Sequence, residues 1–318
     1  MTPSHRPTLA LCIPAFNAES ELPRLLRSAN AQNALFDEIL VYDDASVDGT
    51  PAVAETFGAR VIRGESNRGC SFGKNALAVA ARSEWLHFHD ADDHLYPHFV
   101  ETALRWMTSA VRVDVVMIAC EVRDEHGRRL GEHIFDDWAL RVDPIRQTLL
   151  EQHVNSGIYR RDAFLRAGGF DLDPAVSYVE DNAMHCSLAR AGLRFRADPT
   201  ISSVIVQTPT SMSRANLSRC RLAHYHLLDK SAGVLSARHR DVITLKLWRM
   251  AAVCAADHDW DNADRCLRLA RALGAWRSRE GSLMFRFLSA FAPRFALRAR
   301  ETAIRLLRPH LRTNPVPA

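Results

Sequence analysis

The stretch Trp85-Leu86-His87-Phe88-His89-Asp90-Ala91-Asp92-Asp93 constrains this chain more than any other. An apolar, aromatic lead-in ends in three carboxylates within four positions. Alternate side chains of a strand share a face, so Asp90 and Asp92 are expected to aim at one point beyond the strand end. Two carboxylates so close raise the cost of ionising both. A divalent cation removes that cost, and hard oxygen ligands suit magnesium or manganese. Taken alone, the run is also consistent with an acidic turn that merely ends a strand, and the neighbouring segments decide between the two.

Similar strand-ending loops recur along the chain. Thr8 to Ile13 is an apolar run closed by Pro14, and Pro14-Ala15-Phe16-Asn17-Ala18-Glu19 follows as a loop. Ser20 opens a helix with Leu22, Leu25, Leu26 and Ala29 at helical spacing. A strand from Glu38 to Tyr42 runs into Asp43-Asp44-Ala45-Ser46-Val47-Asp48-Gly49-Thr50. A helix from Pro51 to Phe57, a strand from Ala59 to Arg63, the loop Asn67 to Asn75 and a helix over 75–82 precede the Asp90 strand. Val113 to Cys120, Asn155 to Arg160 and Ile201 to Val206 read as further strands, whereas 121–150 is polar and poorly periodic. Such alternation implies a parallel α/β sheet with covered faces. Ligands collect outside the carboxyl ends of such strands. The polar clusters at 14–19, 43–50 and 90–93 therefore imply one site.

From about Asn216 the pattern turns to helices alone, over 217–230, 241–256, 260–273 and 280–308, the last broken by Pro293. The expected division is a catalytic domain over 1–215 and a helical, Arg-rich extension over 216–318. Net charge is +4, but nine arginines from Arg277 onward face only Glu280 and Glu301, a net of +7. Two readings of that tail stand open. Its arginines are solvated on covering helices, or Leu283, Phe287 and Phe291 form an amphipathic surface for anionic lipid. No recognisable module accompanies the charge, which argues against nucleic acid. Seven scattered cysteines with no Cys-x-x-Cys pair favour neither a disulfide framework nor zinc. They read as reduced thiols of a cytoplasmic protein, peripheral at the inner face of the membrane if the lipid reading holds. No apolar run approaches a membrane span, and Leu9 to Phe16, interrupted by Pro14, reads as a strand rather than a leader. His87 and His89 are expected to point into packing rather than to bind zinc.

Taken together, the order and spacing of these loops resemble the inverting family 2 glycosyltransferases, over roughly residues 8–213. Pro14 to Glu19 resembles that family's first-strand loop and Val41 to Thr50 its second-strand signature, with Ala45 where glycine is usual. Asn67 to Asn75 resembles the third loop, with Lys74 where arginine is usual. Asp90-Ala91-Asp92-Asp93 matches the metal-binding Asp-x-Asp. Gly168-Gly169-Phe170-Asp171 followed by Glu180-Asp181 matches the acceptor-side segment and catalytic pair. Thr208 stands where many members carry histidine, before Ser211 and Ser213, and Met184 replaces a common leucine.

The resemblance implies a GT-A nucleotide-sugar sheet flanked by helices, followed by the helical extension. It implies that Pro14, Ala15, Asn17, Glu19, Asp43 and Asp44 line the nucleotide pocket, with Asp44 facing the base. Lys74 is then expected near the base or diphosphate, and losing the arginine fork there alters how the nucleotide is held. Asp90 and Asp92 handle ribose, diphosphate and Mn2+ or Mg2+, with Asp93 as a further candidate ligand. Asp181, paired with Glu180, is the general base. The implied reaction moves a sugar from a nucleotide donor, a UDP-sugar first, to a glycan or lipid-linked hydroxyl in surface polysaccharide synthesis.

Each assignment has a plainer counterpart. Glu180 and Asp181 also suit a helix start, and Asp43 and Asp44 suit an Asx turn. A silent nucleotide-sugar-binding protein would keep the pocket without the reaction, but Asp90, Asp92 and Asp181 are all in place. A sugar nucleotidyltransferase would need a glycine-rich, basic first loop, which Pro14 to Glu19 is not. Walker-type lysines and dinucleotide glycine triplets are absent from the sequence, which disfavours ATPases and dehydrogenases.

Overall fold

A computed structural model describes residues 6–151, 154–209 and 211–313. They fall into two compact units. The first takes in residues 6–148, 154–172 and Glu180–Pro209; the second takes in Leu149–Glu151, Asp173–Val179 and residues 211–313.

The first unit begins with β1 (Leu9–Ala15), α1 (Leu22–Asn30), β2 (Glu38–Asp43), α2 (Thr50–Thr56) and β3 (Arg60–Arg63). Next come α3 (Cys70–Ala80), β4 (Trp85–Phe88), β5 (His94–Leu95), α4 (Phe99–Met107) and β6 (Val115–Asp124). Then follow β7 (Arg129–His133), α5 (Asp137–Val142), α6 (Pro144–Leu150), β8 (Ile158–Arg160), α7 (Arg161–Arg166), α8 (Glu180–Arg190) and β9 (Phe195–Gln207). The sheet order is β3-β2-β1-β4-β8-β6-β9-β5, with β7 paired on β6.

Strand β1 is buried along its whole length, and its period-2 alternation builds two cores. Leu9, Leu11 and Ile13 join Leu22, Leu25, Leu26 and Phe99 on one face. Ala10 and Cys12 join Leu77, Phe88, Tyr159 and Phe170 on the other. Each fully buried aliphatic or aromatic side chain contributes about 1.5–3 kcal/mol, so a sheet covered on both faces is what these apolar runs favour. β1 pairs in parallel with β2 and β4, so the loops leaving all three emerge at one edge. The candidate site lies there.

Three expectations need correction. The sheet is mixed, because β8 runs antiparallel to both β4 and β6, and β5 and β7 are also antiparallel. A three-residue strand such as β8 carries no periodicity from which direction could be read. The helix expected over 75–82 instead starts at Cys70, after Gly69 turns the chain at φ +87°. The late strand runs from Phe195 to Gln207, longer than its apolar half suggested. The loop expected from Gln207 to Arg214 lies partly outside the described residues, at Thr210.

The second unit is helical: α9 (Met212–Ala215), α10 (Leu217–Val234), α11 (Arg240–Ala256), α12 (Trp260–Ala272), α13 (Leu283–Phe291), α14 (Pro293–Leu307) and α15 (His310–Thr313). On α12 the buried residues include Ala263, Cys266, Leu267 and Ala270, the side that spacing predicts. Among the described residues no cysteine forms a disulfide. Among the described residues, no helix is long and apolar enough to cross a membrane.

Candidate active site

The loops after β1 and β2 are bonded to each other. Asn17 adopts φ +49°, a region asparagine tolerates better than most residues. Its backbone N–H donates to Ser46 Oγ, and Val47 N–H donates to its Oδ1, both at 2.9 Å. Gly49 N–H donates to Glu19 Oε2 at 2.8 Å, and Ala18 N–H to Thr50 Oγ1 at 2.7 Å. Pro14 and Ala15 are buried at the end of β1. Asp43 accepts from Ser46 N–H at 3.1 Å, the local turn its residue type favours.

Asp44 extends this network to the third loop. Its two carboxylate oxygens accept from Arg68 N–H and Gly69 N–H, each at 2.8 Å. The Arg68 guanidinium in turn lies 3.5 Å from the Phe72 ring centroid. The carboxylates of Glu19 and Asp44 thus fix backbone around the strand ends. Asn17, Glu19, Asp43, Asp44 and the 67–69 loop form one connected rim.

Lys74, expected near the base or diphosphate, lies between two carboxylates. On α3 the inward positions are Gly73, Lys74, Leu77 and Ala78, so the lysine lies on the helix's buried face and is 1% exposed. Its Nζ lies 3.2 Å from Asp90 Oδ1 and 3.2 Å from Asp181 Oδ1. The Phe170 ring centroid is 5.2 Å away. Burial lowers the lysine pKa, but Asp181 and Asp90 outweigh it and the net displacement is well above the usual value. A buried ammonium therefore joins two carboxylates separated by 91 positions in sequence.

Asp181 and Glu180 open α8, where the helix dipole favours negative charge. Their environments separate them. Burial and the neighbouring Asp181 charge raise Glu180 to about 8, and its Oε2 is buried without a hydrogen-bond partner. Burial also raises Asp181, while Lys74 pulls it back down. Burial thus raises both acids, and Lys74 offsets part of the rise at Asp181 only, a difference of environment that acid–base chemistry uses.

The acidic run itself divides. Asp90 Oδ1 is buried and, although near Lys74, accepts no hydrogen bond. The Asp92 side chain reaches solvent, yet crowding by the protein and the charge of Asp90 raise its pKa. Arg24 on α1 donates to the Asp92 backbone carbonyl. Asp93 turns inward and accepts from Val206 N–H on β9 at 2.7 Å. Its carboxyl is raised well above the usual range by burial and by Asp92 and Asp90. Among the described residues no three His, Cys, Asp or Glu side chains cluster tightly enough to hold a metal alone. The half-exposed Asp90 carboxylate, near enough to Asp92 to raise its pKa, instead fits a hard cation that completes its shell with phosphate oxygens and water.

The histidines pack inside, as expected. His87 Nδ1 lies 2.8 Å from Gly157 O, and His87 Nε2 lies 3.1 Å from His89 Nδ1. Burial lowers both, His89 to about 3. Thr208 follows β9 and is half-buried, and the Ser213 side chain lies outside the described residues.

Two contributors, Asn75 and Arg24, escaped sequence reasoning. Asn75 holds the Gly168–Phe170 turn from both sides, accepting from Phe170 N–H and donating to Phe170 O, each at 2.9 Å. Phe170 forms the aromatic wall beside Lys74. The signal available was only the Asn75 position within the third loop, and spacing cannot show a partner 95 residues away. Arg24 left no signal, because an exposed helix arginine is ordinary.

Comparison with known proteins agrees with this architecture. Residues 10–169 match the family model described as Glycosyl transferase family 2. An uncharacterized glycosyltransferase of Haemophilus influenzae is 28% identical over 120 residues, covering 37% of this chain and 41% of that protein. The succinoglycan biosynthesis protein ExoO of Rhizobium meliloti is 25% identical over 224 residues, covering 65% of this chain and 63% of that one. The chain thus spans about two fifths and three fifths of these relatives. S. aureus TarS 1-349, solved with UDP-GlcNAc, superposes with a TM-score of 0.70 at 19% identity, covering 94% of this chain and 92% of that chain. The mannosyltransferase PcManGT of Pyrobaculum calidifontis, solved with GDP-Man and Mn2+, gives 0.62 at 19% identity, covering 98% and 84%. With the family model spanning half the chain and the sheet superposing on these enzymes, the protein belongs to glycosyl transferase family 2 and has the GT-A fold.

Proposed function

We propose that the protein is an inverting glycosyltransferase that moves a sugar from a nucleoside diphosphate to a hydroxyl of a glycan or lipid-linked acceptor. The observation that carries this reading is the Asp90–Lys74–Asp181 arrangement, in which a buried ammonium lies 3.2 Å from both carboxylates. Asp181 takes the acceptor proton as the hydroxyl oxygen bonds to the anomeric carbon. The bond to the diphosphate breaks on the opposite face, and the nucleotide leaves with the electron pair. General-base help of this kind is worth on the order of 10²–10⁴ in rate. Lys74 favours the ionised form of Asp181 that this task needs, and burial favours the neutral form of Glu180 beside it.

Asp90 and Asp92 are the residues that would hold Mn2+ or Mg2+, which supplies charge neutralisation for the departing diphosphate. Pro14, Ala15, Asn17, Glu19, Asp43 and Asp44 are proposed to frame the nucleotide, Glu19 and Asp44 by fixing the loops. Asp93 anchors β9 to the acidic run. A UDP-sugar is the first donor to test, since TarS was solved with UDP-GlcNAc; the mannosyltransferase solved with GDP-Man makes GDP-sugars the comparison. The name of the succinoglycan relative supports an acceptor in surface polysaccharide synthesis.

A calorimetric screen of UDP- and GDP-sugars with and without manganese tests this reading. One donor is expected to bind in the presence of metal and to weaken greatly with EDTA. Binding of no nucleotide sugar under either condition would remove the proposal.

A further inference from the structure

Beside its buried apolar side, α1 carries a polar stripe. Arg24, Ser28 and Gln32 recur every four residues, the first two on the helix and the third just past its end. That spacing sets side chains one above another along a helix. Each of the three grips backbone in the segment that begins with the acidic run. Arg24 donates to the Asp92 carbonyl. Ser28 Oγ accepts from Leu95 N–H at 3.0 Å. Gln32 donates to the Tyr96 carbonyl at 2.8 Å and accepts from Val100 N–H at 3.1 Å. Asn33 N–H adds a bond to the Pro97 carbonyl at 2.8 Å. Residues 92–100 are thus tied to α1 through their backbone.

The lower contacts satisfy groups that packing removes from water, as buried Gln32 shows. The Arg24 contact is different. Arg24 and Asp92 are both exposed, so water can serve the same carbonyl and the bond adds little to stability. What it fixes is a direction. Asp92 belongs to a turn in which Asp93 N–H donates to the Asp90 carbonyl at 3.2 Å, and the Asp93 side chain is anchored on β9 through Val206 N–H. Holding the Asp92 carbonyl from the α1 side fixes the peptide plane after Asp92, and with it the direction in which the carboxylate leaves the backbone.

We infer that Arg24 is a positioning residue, whose grip on the Asp92 carbonyl holds that residue's carboxylate where it shares a divalent cation with Asp90. The inference rests on the reading that these two carboxylates hold Mn2+ or Mg2+. Groups that orient a metal ligand from behind change metal affinity by about 10–100-fold when removed. The sign of the effect separates support from mere proximity. A guanidinium close to a divalent cation repels it, so deleting a bystander tightens metal binding, whereas deleting a support weakens it.

Mn2+ binding by the full chain, followed by the paramagnetic resonance of the free ion with UDP or GDP present, tests this role. The parent is expected to bind Mn2+ with one of the two nucleotides. Arg24→Ala should weaken that binding by about ten-fold or more, with a melting temperature close to the parent's because the side chain is exposed. Arg24→Lys keeps a donor and should recover much of the loss. Ser28→Ala, which frees Leu95 N–H rather than Asp92, should lower the melting temperature and leave Mn2+ affinity within about two-fold of the parent. Unchanged or tighter Mn2+ binding by Arg24→Ala would overturn the inference, and so would an equal loss in Ser28→Ala. A parent that binds no Mn2+ with either nucleotide would overturn the cation reading itself, and this inference with it.

Discussion

Burial beside Asp181 raises Glu180 to about 8 from its usual 4.5, so the folded chain keeps it protonated where an unfolded chain ionises it. The stability that this neutral acid contributes is full below the unfolded value and is lost as pH rises through the folded one. The Glu180 contribution to melting temperature should therefore fall between about pH 4.5 and about 8, and it should appear as the difference between the parent and Glu180→Gln curves. An unchanged slope in the variant would show Glu180 ionised. Lys74 acts on Asp181 in the opposite sense, pulling its pKa down. Lys74→Met should move the acid limb of the pH–kcat profile to higher pH, because the base then needs more alkaline conditions to ionise. A limb that stays in place would detach the lysine from the base. The resemblance to family 2 led to the expectation that the two acids of α8 and the Asp-x-Asp share one site. It could not show that the third-loop lysine lies between them, since that depends on where α3 begins.

At the scale of elements, the rim depends on carboxylates and amides that grip backbone. Asn75→Ala removes both bonds to Phe170 and should lower stability by about 1–3 kcal/mol, read from urea unfolding. Asp44→Ala frees the Arg68 and Gly69 N–H groups and should weaken nucleotide-sugar affinity by about ten-fold, read by calorimetry. Strands β1, β2, β4 and β6 were legible because long apolar runs end at proline or aspartate. The start of α3 was hidden because Gly69 and Gly73 look like turn residues. Gly73 in fact serves close packing, since a Cβ there would lie 2.8 Å from Tyr42 Cδ1. The region 121–150 was hidden for another reason. It holds a five-residue strand on the edge of the hairpin and the short helices α5 and α6, none long enough to impose a period.

Across the whole chain, composition separates into a mixed sheet with two cores and a helical, arginine-rich part. The change to helices near Asn216 was visible in the sequence; that Leu283, Phe287 and Phe291 share one side was also read there, but whether that side is covered was left open, because helical spacing gives a stripe without saying what covers it. The strand-end loops of the first unit converge on one edge because β1, β2 and β4 run parallel. Convergence lets Asp181, distant in sequence, meet Asp90 through Lys74. Single-turnover transfer by Asp181→Asn, measured beside its donor affinity, tests that claim most directly. The account predicts donor binding within about two-fold of the parent and transfer slowed by about 10²–10⁴; transfer at the parent rate would contradict it.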